Sequence, residues 1–516
     1  MPRDRAYSPG WSGPNEPTLD RKKRRLLPRR LRGRRAIVAR KYVNGLRQPS
    51  GGPAPKSPSM DGDQPITATE RRLLQRATMG VTVSDLERLS ELGYDGWLAE
   101  QLDYESLDDT ALERDLAAAF PSITLTAEQL LDRFLSDPAT PIFDLMNARL
   151  YRAVYSPRQL FERMVTFWSD HFHTSVFSDA GFLLKPVDQR EVIRRHALGN
   201  FRELLHASAH SPAMLVYLTN DSNVAGLPNE NYARELMELH TLGVDNGYTQ
   251  QDVTEVARCF TGWTLNRAGG DPSKGFGEFF FDAANHDDGE KLVLGQVIPA
   301  GGGVEDGERV LDILAGHFLT SKFIVEEMAR YLWGYKPSSA IINSVATLFR
   351  NSDGDIKAVV KALLSSNRIK NSKDKLKRPF HLVTSTARAL GADIRTPFIV
   401  LGRLFEAGHL PFNWSPPDGY PDSEEYWSGL VLPRFNFGAL LYSNAAAGMA
   451  LGVDFIDPEL GADEILDRID RVLFGDTMSA AVRTALAGFL DSGTLTKQRI
   501  REAIGLAVGS PEFQSY

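Results

Sequence analysis

The chain has 516 residues, 42% hydrophobic and 24% charged, with a formal net charge of −7, the balance of a soluble globular protein. A single cysteine, Cys259, excludes an internal disulfide and any cysteine-based metal cluster, and no apolar run approaches the ~20 residues of a membrane-spanning helix. Charge is divided unevenly: residues 1–60 hold 16 Lys+Arg against 3 Asp+Glu and the remainder 43 against 63, a basic segment on an acidic body.

Residues 1–63 are rich in Pro, Gly, Ser and Arg without apolar periodicity, and a disordered basic tail is expected. Such a tail can meet anionic lipid or nucleic acid through charge alone; Met60 offers an alternative start. Arg24-Arg25, Arg29-Arg30 and Arg34-Arg35 precede no apolar segment of roughly 7–15 residues, so no export signal is evident and a cytoplasmic location is expected. From residue 64 onward one large helical domain is expected, with a subdivision near residues 370–380. Thr67 and Glu70 form a capping box for a helix holding Leu73 and Leu74. Further helices are expected near residues 84–92, 96–102, 109–119 and 127–136.

Residues 159–173 (QLFERMVTFWSDHFH) form a helix with two unlike arcs. Phe161, Met164, Val165, Phe167, Trp168, His171 and Phe172 share one; Glu162, Thr166, Asp170 and His173 lie opposite. His171 and His173 therefore cannot ligate one metal. His206 and His210 have i,i+4 zinc spacing but lack the intervening acid of His-Glu-x-x-His, and are expected on the surface.

Residues 229–263 are densest in readable polar groups. Asn229 caps a helix, Gly243 fits beyond its end, Asn246-Gly247 turns the chain, Thr249 and Asp252 box the next helix, and Gly262 ends it. On the first helix, Tyr232, Ala233, Leu236, Met237 and Leu239 share an apolar arc that also holds His240. Glu230, Asn231, Arg234, Glu235, Glu238 and Thr241 lie opposite. That polar arc is either a solvated face of i,i+4 pairs, each contributing ~0.2–0.5 kcal/mol, or a stripe turned inward where Glu235 and Glu238 hold a metal or move a proton. Cys259 is expected to be a buried small hydrophobe.

Farther on, Phe279-Phe280-Phe281 and Leu292-Val293-Leu294 suggest one hairpin around His286-Asp287-Asp288-Gly289. His286, with its flanking carboxylate, is a candidate ligand or acid–base group. Neither a dinucleotide nor a phosphate-loop motif is present. Helices are expected near residues 305–318, 322–332, 337–349 and 355–364, with Asp355 as a cap. Residues 373–377 look like a charged connector. In residues 412–437, Pro416, Pro417 and Pro421 force an extended loop. Its Trp414, Tyr420 and Trp427 either cover the central helices or wrap on them structurally. Residues 463–473, 480–490 and 496–508 close the chain as helices.

Asn229-Glu230-Asn231-Tyr232-Ala233-Arg234-Glu235-Leu236, then Glu238-Leu239-x-Thr241-Leu242-Gly243, Tyr248-Thr249-x-x-Asp252-Val253 and Ala257-Arg258-x-x-Thr261-Gly262-Trp263, resemble the bacterial domain of unknown function 1800 family. The resemblance extends from about Thr67 to Ser510-Pro511-Glu512-Phe513 and carries no established activity. The family pattern Phe-Trp-His-Asn-His-Phe falls on Phe167-Trp168-Ser169-Asp170-His171-Phe172, so only its second histidine, His171, is kept. The family accepts Phe at the position of His240 and keeps His286, Asp287 and Lys291. The resemblance also implies export of many members and a partner from a sulfatase-like family encoded beside them.

The expected fold is mainly α, a large multi-helix body with one small β-hairpin insertion. Two functions from different classes follow. In the first, His171, Glu235, Glu238 and His286 hold a divalent zinc, iron or manganese. Glu235 and His286 act catalytically, and Arg234, Arg258, Trp263, Trp414 and Arg434 bind substrate for metal-assisted hydrolysis or oxidation. In the second, the chain is a non-catalytic accessory protein working with a sulfatase-like partner.

Overall fold

The computed structural model describes residues 66–178 and 181–516; the expected basic tail lies outside them. Helices dominate, with three two-stranded antiparallel sheets among the described residues, in agreement with the mainly α expectation. The helices that position the site and its surroundings are α1 (Ala68–Ala77), α2 (Thr140–Tyr155), α3 (Gln159–His171), α4 (Phe201–Ala209), α5 (Glu230–Glu238), α6 (Gln250–Cys259), α7 (Glu305–Gly316), α8 (Pro379–Ala389) and α9 (Val431–Leu440). No helix of the described residues is long and apolar enough to cross a membrane.

Local chemistry sets the helix starts. Thr67 and Glu70 close a capping box on α1, and Thr249 and Asp252 close one on α6. Asn229 accepts the Asn231 N–H at the head of α5, and Asp355 caps the helix Ile356–Leu363. α2 has no such signature. Almost every residue from Pro141 to Val154 is buried, Asp144, Asn147, Arg149 and Arg152 included, so no apolar stripe marks it in the sequence.

The strands correct the expected single hairpin. β1 (Trp263–Leu265) pairs with β2 (Phe279–Phe281), β3 (Lys291–Val293) with β4 (Gln296–Ile298), and β5 (Asp393–Ile394) with β6 (Met449–Ala450). The phenylalanine strand and the strand after residue 290 thus have different partners. The β3–β4 turn is Leu294-Gly295, with φ of 48° and 76°, the left-handed pair that a tight two-residue hairpin needs.

Apolar side chains form two large clusters. The first gathers Leu73 of α1, much of α3, α5, α6 and α7, and ends with Ile369. The second is built on α2, α8 and the chain beyond Phe380. The stretch between them is no loose connector. Lys375 and Tyr516 exchange both backbone hydrogen bonds at 2.9 Å, and the Lys377 N–H bonds the Gln514 carbonyl at 2.8 Å. The Lys375 ammonium reaches Asp422 at 2.6 Å. Its charge is buried with a partner, as burial requires.

Candidate functional site

The four expected metal ligands do not assemble. His171 lies in an aromatic nest, its Nε2–H directed at the His240 carbonyl at 3.2 Å and its ring 4.7 Å from Phe172. Burial lowers His171 to about 4 and His240 to about 3, so both imidazoles are neutral at physiological pH. The His240 Nε2 is buried without a hydrogen-bond partner. His286 belongs elsewhere: its Nδ1 is 2.8 Å from the Thr261 carbonyl and its Nε2 3.2 Å from Asp306. Lys291 sits on the same carboxylate, and these three side chains are at most 1% exposed. Glu235 and Glu238 stand on a partly exposed face of α5. Arg234 there bridges Glu230 at 3.2 Å and Glu238 at 3.4 Å. Burial and then Glu238 push the Glu235 carboxyl up. Among the described residues no group of three or more His, Cys, Asp or Glu is placed to hold a metal ion. The expected convergence is therefore corrected: a helix face, an aromatic core and a closed ion cluster each keep their own members.

The expected substrate residues are also dispersed. Arg258 grips Asp287 at 2.8 and 3.2 Å and Glu255 at 2.7 Å. Trp263 is fully buried against Gly307, where any Cβ would overlap its ring. Arg434 is buried with Nη2 on the Lys377 carbonyl at 2.6 Å, and Trp414 donates to Asp418 at 2.7 Å. His206 and His210 meet Glu308 of α7 at 2.8 and 2.9 Å, joining α4 to α7.

A different cleft emerges along α3. Both of its arcs are buried or half-buried. The apolar arc enters the first cluster, and the polar arc meets charge. Glu162 binds Arg194 at 2.8 Å and stands 3.5 Å from Arg149. Arg149 also donates to Thr166. Asp170 holds Arg378 at 2.6 Å; burial pushes its carboxyl up and Arg378 opposes that. His173 directs Nε2 to the Trp414 carbonyl at 2.8 Å, and burial lowers it to about 4. Between these groups, Phe380 of α8 and the segment around His409 is a narrow space, about 30 Å³ for the centres of water-sized groups, part of it open to solvent.

The Pro-rich loop forms the far wall and is clamped to α3. Gly419 has φ of 67°, and a Cβ there would overlap the Asp170 carbonyl oxygen; only glycine permits that approach. Tyr420 donates to the Leu410 carbonyl and Trp427 to the Pro421 carbonyl, each at 2.7 Å. The His409 ring is wedged 4.4 Å from Tyr420 and 4.9 Å from Trp427. Its Nδ1 accepts the Phe380 N–H at 3.2 Å, which puts the ring proton on Nε2. Burial, then Arg378, Arg149 and Arg434, hold this imidazole well below its ordinary range. Phe412, in the same wall, has φ of 62°, a strained value for an aromatic residue.

Sequence reasoning named Thr166, Ser169, Asp170 and His173 without a site role and Tyr420 as part of a cover, and it missed Arg149, Phe380 and His409. The available signal was α3 itself: a helix with a full apolar arc and an acidic, hydroxylic and imidazole arc opposite has two faces to bury. Arg149 and His409 left no local signal, since one sits in the unmarked helix α2 and the other in a loop.

The family model described as Protein of unknown function (DUF1800) matches residues 72–515. No curated protein and no solved structure matches the chain.

Proposed function

The chain belongs to the DUF1800 family of proteins of unknown function, and from that premise we propose that it binds a small polar molecule in the cleft between α3 and the Pro-rich loop. The observation that carries this reading is the make-up of the cleft: Arg149, Asp170 and His409, from three separated stretches of chain, line one space open to solvent. Convergent polar groups in a concave site are the general mark of ligand recognition, and the strained Phe412 in the wall adds to it. Asp170 can accept a proton or a hydrogen bond from a bound molecule, and the His409 Nε2–H can orient that molecule by hydrogen bonding. The metal-assisted hydrolysis or oxidation expected from the sequence lacks a donor set among the described residues.

The test is a thermal-shift screen of small anions, cations and neutral polar compounds against the wild type and Ser169→Leu, which adds bulk to the cleft lining. The expected result is a class of compounds that raises the melting temperature of the wild type but not of S169L. Equal shifts in both proteins, or none in either, would remove the cleft reading.

The accessory-protein reading, with a sulfatase-like partner, is favoured by another observation. Val431, Leu432 and Phe435 are exposed on α9, and contiguous exposed apolar residues favour contact surfaces. Serine substitution of Leu432 and Phe435 separates the readings, because ligand binding in the cleft is expected to survive it.

A further inference from the structure

We infer that the group bound in the cleft is an oxyanion, a phosphate, sulfate or carboxylate seated between Arg149 and His409. This rests on the reading of the cleft as a ligand site and names the class of ligand. The first ground is donor supply. The Arg149 Nη1 is buried and makes no hydrogen bond. Its nearest carboxylate, Glu162 at 3.5 Å, is already held by both terminal nitrogens of Arg194, at 3.1 and 2.8 Å. His409 spends Nδ1 on the Phe380 N–H, so it offers Nε2–H. An arginine and an imidazole that keeps its N–H, both lining one space, suit a group that only accepts.

The second ground is charge. Arg149, Arg152 and Arg194 share two carboxylates, Glu113 and Glu162, and Arg149 has the longest of the short links at 3.5 Å, against 2.6 Å for Arg152–Glu113 and 2.8 Å for Arg194–Glu162. Of the three, Arg149 is the one held least closely by a carboxylate, and it is the one that lines the cleft. Asp170, the carboxylate in the lining, is paired with Arg378 at 2.6 Å. A buried cation without a full partner is costly, and an anion in the cleft supplies the missing charge. Because one side is open, a larger molecule can present its anionic end there.

The experiment uses the full chain with nitrogen-labelled histidine imidazoles, the His409 signal being assigned with H409Q. Inorganic phosphate, sulfate and acetate are titrated at constant ionic strength, with glycerol and urea as neutral probes. The His409 Nε2 signal reports on the cleft rather than on the basic residues 1–60. The expected result is a saturable shift with at least one oxyanion and none with the neutral probes, with affinity weakened roughly tenfold or more in Arg149→Met and partly kept in Arg149→Lys. A shift with neutral probes alone, or unchanged anion affinity in R149M, overturns the oxyanion inference and leaves the ligand site standing. No shift with any probe removes both. If R149M does not fold, the contrast between anions and neutral probes in the wild type decides.

Discussion

At the scale of single residues, the His171–His240 pair shows what burial does to a titratable group that has too few partners. In the unfolded chain both imidazoles ionise near the ordinary 6.5; in the fold they ionise only at about 4 and about 3. Above pH 6.5 both states are neutral and the pair contributes nothing. As the pH falls below 6.5 the unfolded state takes up protons first, so stability is lost, and the loss levels off once the pH passes the folded values. For His171 this amounts to on the order of 3 kcal/mol. His240→Phe keeps a ring against Phe172 and removes the unpartnered Nε2. Chemical denaturation at a series of pH values from neutral to about 4 is expected to show a shallower decline for H240F than for the wild type. Equal slopes would mean that His240 is solvated or paired.

At the scale of elements, the Pro-rich loop is the part whose role changed most between sequence and structure. Its prolines made an extended loop legible, and its tryptophans made an aromatic surface legible. What it lies on was not legible, because Gly419 meets Asp170 across about 250 residues of chain, and no spacing records such a contact. The same contrast holds elsewhere. The capping boxes at Thr67 and Thr249 were readable because donor and acceptor are three residues apart. The β-pairing was misread because Asp287, in a run that resembles a hairpin turn, instead accepts from Arg258 and from the Gly289 N–H. Gly419→Ala tests the clamp. The left-handed backbone alone costs about 1–3 kcal/mol, and the overlap with the Asp170 carbonyl adds to that. The expected outcome is a lower melting temperature and new proteolytic cleavage at residues 415–423. An alanine variant with wild-type stability and no new cleavage would show that the loop does not rest on α3.

At the scale of the whole molecule, the two apolar clusters are joined by charge as well as by packing. α3 gives its apolar arc to one cluster, while α2, α8 and the segment around His409 belong to the other side. The cleft lies where these meet, so its groups come from positions 149 to 420 and none of their mutual geometry is local. That is why the expected site, two carboxylates of α5 joined by His171 and His286, separated into a salt-bridged helix face, an aromatic core and an ion cluster, while the cleft escaped notice. The central claim is that this junction receives an anionic group, and the most direct measurement is a crystal of the full chain soaked in an oxyanion that scatters anomalously, such as selenate. The account predicts an anomalous peak within hydrogen-bonding distance of Arg149 and His409. Peaks confined to the outer surface, with the cleft holding only solvent, would contradict it.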